Sequence, residues 1–207
     1  MLTAIIIARN EEGTIQKTIQ SVLFCDEVLV IDNQSTDLTG TIAYDAGAHV
    51  ISSTISSDFA ALRNFASHQA KNEWLLFIDA DEILSEGLRI QIRHELHNPA
   101  YPSYYLRRRD HFMGQILTHG EVAKVYERGI LRLMKKDAGA WEGKIHEEWM
   151  SSDLSGALDG FIEHYPHQSV SEFVESVNYY STIRAQELVS IGKKGSIFEL
   201  ISFPLGK

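Results

Sequence analysis

The sequence predicts an α/β protein built on a mostly parallel central sheet flanked by helices. Through residue 82, short apolar runs without alternation take turns with segments of helical periodicity. Such runs are typical of strands buried on both faces, and their alternation with helices implies right-handed crossovers between parallel strands. After residue 98 the predicted strands follow one another without helices between them. We therefore expect a smaller antiparallel portion there, followed by a C-terminal helix.

The elements of the first half follow from their composition. Strands rich in β-branched residues are expected at 2–8, 27–32, 48–52 and 74–79. Helices are expected from Asn10 or Gly13 to Leu23, at 38–46 and at 58–70. In open sheets of this kind, ligands bind at the carboxyl ends of the strands.

The second half begins with a helix that Ser85 caps and that continues to about Leu96. Shorter strands are expected at 103–109, 112–117 and 130–134, with one more inside 154–165, and a long amphipathic helix at 170–191. In an extended chain Arg107 and Arg109 face the opposite way from Arg108.

Composition narrows the class of protein. The chain has 207 residues, enough for one domain with or without a C-terminal appendage. Its net charge of −9 argues against general nucleic-acid binding. The single Cys25 excludes an internal disulfide and favours a reducing compartment. The start has no basic segment typical of a signal peptide, and no apolar stretch approaches the roughly 20 residues of a membrane span, so we expect a cytoplasmic protein.

The most informative stretch is 74–82, where a run of large apolar residues ends in Asp79, Asp81 and Glu82. Carboxylates held close together repel each other unless a positive charge lies between them. A hard divalent cation, Mg²⁺ or Mn²⁺, is the economical partner because it prefers oxygen ligands and binds phosphate oxygens. The alternative is a solvated acidic turn. Neither a Gly-x-Gly-x-x-Gly nor a Gly-x-x-x-x-Gly-Lys motif occurs in the sequence.

Three motifs, each after a predicted buried strand, carry a resemblance to a known family. The segment from Arg9 to Glu12 is similar to the opening motif of the inverting glycosyltransferases of family 2, which have the GT-A nucleotide-diphospho-sugar transferase fold. Residues 31–39 resemble that family's Asp-x-x-Ser-Thr-Asp-x-Thr segment, and Asp79 to Asp81 resembles its Asp-x-Asp motif. The resemblance covers nearly the whole chain.

The resemblance implies roles on the donor side. Glu11 and Asp32 would hold the base or ribose of a UDP-hexose, and the backbone near Ile7 and Arg9 would line the base. The other donor-site residues implied by the resemblance are Arg63 beside the diphosphate, Asp79 at the ribose or sugar, and Asp81, with Asp79, at the metal. The alternatives are that Asp32 caps its own turn and that Arg63 is a surface helix residue.

The base is expected in residues 141–149, which combine acids, a histidine and two tryptophans. An acceptor hydroxyl is a weak nucleophile, so an inverting enzyme needs a carboxylate base, which contributes roughly 10²–10⁴-fold. This stretch resembles a segment of the lipopolysaccharide-core transferases of family 2. That resemblance implies Glu147 as the general base and His146 as its partner. Glu148 and Glu142 are the fallback bases.

The acceptor side is expected to use Trp141, Glu142, Arg107 and Arg109, although for the two arginines a solvated edge strand is an equal alternative. His164 and the other scattered histidines are interpreted as core or surface residues. The acceptor would be a saccharide or glycolipid, with glucose transfer in lipopolysaccharide core assembly as the leading hypothesis. The competing hypotheses are a glycosyltransferase acting on a peptide or capsule acceptor and a non-catalytic sugar-nucleotide-binding module.

We divide the chain into a GT-A domain at 1–168 and a C-terminal helical extension at 169–207. Within the domain, 1–98 is the expected donor-binding half and 99–168 the acceptor-side half. The apolar segment 197–207 resembles the start of a longer region in core transferases. A peripheral contact with the inner face of the cytoplasmic membrane is therefore a hypothesis.

Overall fold

One main sheet carries helices on both faces. The structure is a computed structural model and describes residues 1–55, 58–143, 147–166, 170–190 and 192. The strands are β1 Leu2–Ala8, β2 Glu27–Asp32, β3 His49–Ser52, β4 Trp74–Asp79, β5 Glu82–Leu84, β6 Ser103–Phe112, β7 Gln115–Leu117, β8 Ile130–Lys135, β9 Ala140–Glu142, β10 Glu148–Met150 and β11 Gly156–His164. The helices are α1 Ile15–Val22, α2 Thr39–Asp45, α3 Phe59–Gln69, α4 Glu86–Glu95, α5 Ala123–Arg128 and α6 Val170–Ser190.

The first half of the chain forms the parallel part of the sheet, in the order β3-β2-β1-β4. All three pairings are parallel, as the alternation of strands and helices predicts. The predicted α/β fold class is confirmed, and strands β1, β2 and β4 have the bounds expected from sequence. Because these strands run the same way, their carboxyl ends lie at one edge of the sheet.

The second half extends the same sheet in the order β4-β8-β6-β11-β5. The pairings of β8 with β4 and with β6 are antiparallel, β6 and β11 are parallel, and β5 closes the edge antiparallel to β11. Strands β9 and β10 form a separate antiparallel pair. Strand β5 immediately follows the acidic motif yet lies at the far edge, so the predicted donor and acceptor halves share one continuous sheet.

Two apolar layers enclose the sheet, which explains why its strands show no alternation of polar residues. In β1, Ile6 belongs to the core layer with α1 and α4, whereas Ile5 belongs to the layer with α3, and both are fully buried. Leu23, expected on the apolar face of the first helix, lies past the end of α1 and is exposed.

The C-terminal helix α6 ends at Ser190, close to its predicted end. Its Phe173 ring lies 5.4 Å from the ring of Phe112, which joins the helix to β6. Among the residues that the structure describes, no helix combines the length and apolarity needed to cross a membrane. Segment 197–207 is outside the described residues, so the membrane contact stays a prediction.

Candidate functional site

The acids of the three motifs follow neighbouring strands. Ile7 pairs with Ile31 of β2 on one side and with Asp79 of β4 on the other, and Ala8 pairs with Asp32. Asp32 and Asp79 therefore flank the end of β1, and the loops after β1, β2 and β4 share one edge of the sheet.

The loops after β1 and β2 are tied together by hydrogen bonds. The Asn10 N–H donates to Ser35 Oγ (3.0 Å), and Asn10 Oδ1 accepts from the Thr36 N–H (2.8 Å). The Glu11 N–H donates to Thr39 Oγ1 (2.7 Å). Asn10 has a φ of 57°, a conformation that Asn tolerates better than most residues. The first two motifs thus form one structural unit.

Asp32 caps the turn after β2. Its Oδ1 accepts from the Ser35 N–H (3.0 Å), and a Cβ at position 40 would lie 3.0 Å from its Oδ2. Gly40 therefore leaves room for this carboxylate. The capping role expected as the alternative is present, and the nucleotide-binding role of Asp32 stays a prediction.

Carboxylates from the first and third motifs converge at this edge. Burial raises the pKa of Glu11, a hydrogen bond from Thr14 opposes that rise, and the nearby carboxylates of Asp81, Asp37 and Asp79 add to it. These acids therefore lie close enough to repel one another, which favours a bound cation.

Asp79 already has cationic partners. Arg132 binds it through both terminal nitrogens, with Nη1 3.1 Å from Oδ1, and Arg63 Nη2 lies 3.4 Å from Oδ1. Burial disfavours the charged carboxylate, but these guanidinium groups hold the pKa of Asp79 well below its usual range. Arg63 and Arg132 thus supply the positive charge at Asp79 that the sequence argument assigned to a metal, and Asp79 as a metal ligand stays a prediction.

Glu82 lies directly behind Asp79 and is fully buried. Its Oε2 accepts from the Asp79 N–H (2.9 Å), and its Oε1 lies 3.4 Å from Arg132 Nη2 and 3.3 Å from Arg108 Nη1. Burial raises the pKa of Glu82 although two arginines oppose the rise. The sequence analysis did not identify Arg132. The signal that could have identified it is a cation placed between the apolar residues of β8.

Asp81 lies against a histidine from the end of β11. His164 Nε2 lies 3.2 Å from Asp81 Oδ2, while His164 Nδ1 bonds Asp110, which also pairs with Arg108. Burial opposes the charged imidazole, but the hydrogen bonds to Asp110 and Asp81 raise the pKa of His164 to about 9. His164 therefore contacts the acidic motif, a contact that its interpretation as an ordinary core or surface histidine did not include.

The chemistry of this pair suits a divalent cation. Asp81 offers a carboxylate oxygen, and Asp110 orients the His164 ring in the way that carboxylates orient metal-binding histidines. Because the pKa of His164 is raised to about 9, a cation would have to displace a proton from the ring before the imidazole nitrogen could bind it. Asp81 also borders a cavity of about 390 Å³, so a ligand can reach it. Within the described ranges there is no cluster of three or more Asp, Glu, His or Cys side chains that could together hold a metal ion. A cation here would take its other ligands from water and phosphate, as Mg²⁺ commonly does.

A larger cleft of about 930 Å³ lies beside this edge and contains Glu147. Arg63 Nε donates to Glu147 Oε1 (2.8 Å), and the Arg63 guanidinium lies over the rings of Trp141 (4.8 Å) and Phe77 (5.4 Å). Arg63 is therefore a largely buried link between Asp79 and Glu147, which excludes the alternative that it is a surface residue.

The two other predicted bases, Glu142 and Glu148, lie on the antiparallel pair of strands β9 and β10. Glu148 of β10 pairs in register with Glu142 of β9, and both are exposed. Trp141 is 7% exposed and lines the cleft together with Glu148. His146 lies outside the described residues.

Two predicted acceptor residues lie elsewhere. Arg107 and Arg109 stack on the Phe161 ring, at 4.4 and 3.7 Å from its centre, and pair with Asp159 and Glu163 of β11. Neither lines the cleft. Arg108 does line it.

The chain has the GT-A fold. TarS of S. aureus (residues 1–349, solved with UDP-GlcNAc) is similar to this chain with a TM-score of 0.59 and 15% identity, over 83% of this chain and 60% of that one. Glucosyl-3-phosphoglycerate synthase of Mycobacterium tuberculosis, solved with Mn²⁺, UDP and glucosyl-3-phosphoglycerate, has a TM-score of 0.51 and 17% identity over 67% of this chain and 57% of that one.

Sequence relatives identify the family. Residues 3–137 match the model of glycosyl transferase family 2. An uncharacterized glycosyltransferase of Rickettsia typhi is 32% identical over 96% of this chain and 72% of its own length. The lipopolysaccharide core biosynthesis glycosyltransferase LpsC of Rhizobium meliloti is 30% identical over 98% of this chain and 77% of its own length. The chain belongs to glycosyl transferase family 2.

Proposed function

We propose that this glycosyltransferase moves a hexose from a UDP-sugar to a saccharide with inversion at the anomeric carbon. The observation that carries the proposal is the convergence of Glu11, Asp79 and Asp81 at one sheet edge, beside a cleft that contains Glu147. The UDP ligands of TarS and of the mycobacterial synthase support a UDP-linked donor.

On the donor side, Asp81 and His164 would hold one divalent cation, Mg²⁺ or Mn²⁺. When bound, such an ion neutralises the charge that develops on the departing diphosphate. Arg63 lies next to Asp79, lines the cleft and also contacts Glu147. We assign it to the diphosphate and assign Glu11 and Asp32 to the nucleoside.

On the acceptor side, Glu147 would act as the general base. Arg63 holds the Glu147 carboxylate in place, with Nε 2.8 Å from Oε1. As the acceptor oxygen forms its bond to the anomeric carbon, its proton passes to Glu147 and the bond from that carbon to the diphosphate oxygen breaks. Attack from the face opposite the leaving group inverts the configuration.

The acceptor is proposed from the name of one relative. The name of LpsC supports a saccharide of the lipopolysaccharide core as the acceptor. Glucose as the transferred hexose and the inner face of the cytoplasmic membrane as the place of reaction are proposed from the sequence resemblance. A peptide or capsule acceptor is the alternative, because the donor-side motifs are independent of the acceptor.

Calorimetry with UDP-glucose and other nucleotide sugars, with Mn²⁺ and then with chelator, tests the donor site. We expect binding of a UDP-hexose that chelation weakens. Asp81→Asn should weaken it too, since it removes a charged oxygen ligand. If no nucleotide sugar binds in a metal-dependent way, the donor-site proposal is wrong.

Glu147→Gln tests the base. We expect turnover to fall by roughly 10²–10⁴-fold with donor affinity retained, since one positioned base contributes about that much. Glu73→Gln, in a surface ion pair with Lys135 outside the cleft, is the control and should stay active. Equal activity of the wild type and Glu147→Gln would assign the base to another residue, and a wild type that binds donor without any transfer or hydrolysis would support the binding-module alternative.

A further inference from the structure

The large cleft is lined by more cations than acids. Its basic residues are Arg63, Arg108, Lys124, Arg128 and Arg132, and its acids are Glu147 and Glu148. This is unexpected in a chain with a net charge of −9. The question is which of these cations already have a carboxylate partner.

The three cations closest to the acidic motif are paired. Arg63 binds Asp79 and Glu147, Arg132 binds Asp79 and Glu82, and Arg108 binds Glu82 and Asp110. Their charges are therefore largely compensated by acids on β4, β5, β6 and the Glu147 segment.

Lys124 and Arg128 differ from those three. Both are exposed, and no carboxylate of the described residues lies within ion-pair distance of either. They stand one turn apart on α5, where like charges destabilise a helix rather than support it. Arg128 stands in the last turn of α5, where a cation is favourable, but Lys124 has no such local role on this wall of the cleft.

Helix α5 is held firmly in place. Gly129 ends it with a φ of 81°, and a Cβ there would lie 2.6 Å from the Leu106 carbonyl oxygen of β6. The Tyr126 ring packs 5.6 Å from the Phe161 ring of β11. The two cations are thus carried on an anchored element, and Tyr105, which is 41% exposed, offers an aromatic face in the same cleft.

We propose that the acceptor is an anionic saccharide, one that carries a phosphate or carboxylate group, and that Lys124 and Arg128 bind this group. The proposal rests on the proposed function, since the cleft takes an acceptor only if Glu147 serves the transfer. An anionic acceptor would otherwise be repelled by the net negative chain, and two uncompensated cations create the local positive potential that it needs. Tyr105 would pack against the sugar ring.

The test compares mannose, mannose 6-phosphate and mannuronate as probes in ligand-observed NMR titrations, with UDP and Mn²⁺ present. We expect both anionic sugars, or the one whose charge the site prefers, to bind at least about tenfold more tightly than mannose, since hydrogen bonds to charged groups contribute at that level. Added NaCl should weaken this binding and leave mannose unaffected. A stronger response to phosphate or to carboxylate tells which group the acceptor carries.

The double variant Lys124→Gln/Arg128→Gln should lose the preference for anionic sugars while still binding UDP. Lys71→Gln/Lys135→Gln removes the same charge from surface ion pairs outside the cleft and should keep the preference. The inference is overturned if neither anionic sugar binds more tightly than mannose, if the cleft variant keeps the preference, or if inorganic phosphate binds as tightly as mannose 6-phosphate. If the wild type does not bind UDP at all, that result would instead count against the proposed function.

Discussion

Glu27 joins the amino ends of three neighbouring strands, on the side of the sheet opposite the site. Its Oε2 accepts from Thr3 Oγ1 (2.8 Å) and from the Lys71 N–H (2.9 Å), and Lys71 Nζ lies 3.3 Å from its Oε1. Burial disfavours the charged form, but these contacts outweigh it and lower the pKa of Glu27.

We therefore expect Glu27→Gln to lower the free energy of unfolding by about 1 kcal/mol near neutral pH. Because the folded pKa is depressed, the stabilisation is present above the unfolded pKa of about 4.3 and is lost as pH falls through the folded value. Urea unfolding at neutral pH and at about pH 3 should show the two proteins converging in acid. Glu73→Gln, at a surface pair with Lys135, is the control and should change little at either pH. A gap that persists in acid would contradict the assignment.

Cys25 is expected to react slowly as a thiol. Burial, with a smaller contribution from Asp26, raises its pKa to about 12 even though Arg93 opposes the shift. Since the thiolate is the nucleophile, we expect alkylation of the native protein at about pH 8 to be much slower than alkylation in urea. Mass spectrometry after timed iodoacetamide treatment measures both rates, and equal rates would show that the native thiol is open.

At the level of elements, α5 shows how a short helix can depend on one glycine. Gly129 combines a positive φ with a close approach to the β6 backbone, so no side chain fits there. The helix itself has six residues, too few to be stable alone. Its position over the cleft therefore comes from contacts with β6 and with Phe161.

Gly129→Ala should lower the free energy of unfolding by more than about 2 kcal/mol, because the added Cβ meets backbone atoms and the residue favours negative φ. Gly87→Ala is the matched control. A Cβ at Gly87 in α4 meets nothing within 4 Å, so this change should be neutral or stabilise by up to about 1 kcal/mol. Urea unfolding of both variants checks the contrast, and equal effects would mean that α5 tolerates displacement.

The regular elements of the first half were predictable from sequence, whereas α5, β5, β9 and β10 were not. Helices α1 and α3 are long enough to show a helical periodicity, and strands β1, β2 and β4 are recognisable as continuous apolar runs. Strands β5, β9 and β10 have three residues each, too few to show one. Such segments are extended because a neighbouring strand supplies their hydrogen bonds.

At the scale of the whole molecule, one chain of ion pairs joins the parallel and mixed parts of the sheet. It passes from Asp79 through Arg132 to Glu82, and from there through Arg108 to Asp110. His164 continues it from Asp110 to Asp81, so Asp79 and Asp81 are connected through four other strands, β8, β5, β6 and β11. The positions of Asp79 and Asp81 at the donor edge therefore depend on contacts with strands from the second half of the chain.

Arg132→Met should lower the free energy of unfolding by about 3–5 kcal/mol, since it leaves the fully buried Glu82 without this cation and removes the closest cation from the partly exposed Asp79. Adding Glu82→Gln to that variant should recover part of the loss by removing one uncompensated charge. Lys135→Gln on the same strand removes only a surface pair and should cost less than about 1 kcal/mol. Urea unfolding of the three proteins measures the difference. Equal losses in Arg132→Met and Lys135→Gln would show that the network contributes little to stability.

Several site residues followed from sequence, and others required the assembled sheet. The positions of Glu11, Asp32, Asp79 and Asp81 at strand ends are local properties, readable from apolar runs that stop at an acid. Two contacts could not be read from local sequence, because each joins segments far apart along the chain. They are the contact of Glu147 with Arg63 and the contact of His164 with Asp81.

The sequence by itself determined the α/β class, the edge where the acids lie and the membership of family 2. Each of these depends on short stretches of consecutive residues, namely the buried strands and the motifs that follow them. The tertiary structure decided which cation partners each acid and which cations remain uncompensated in the cleft. The physical reason is that ion pairing depends on the order of strands in the sheet, and strand order leaves no periodic signal along the chain.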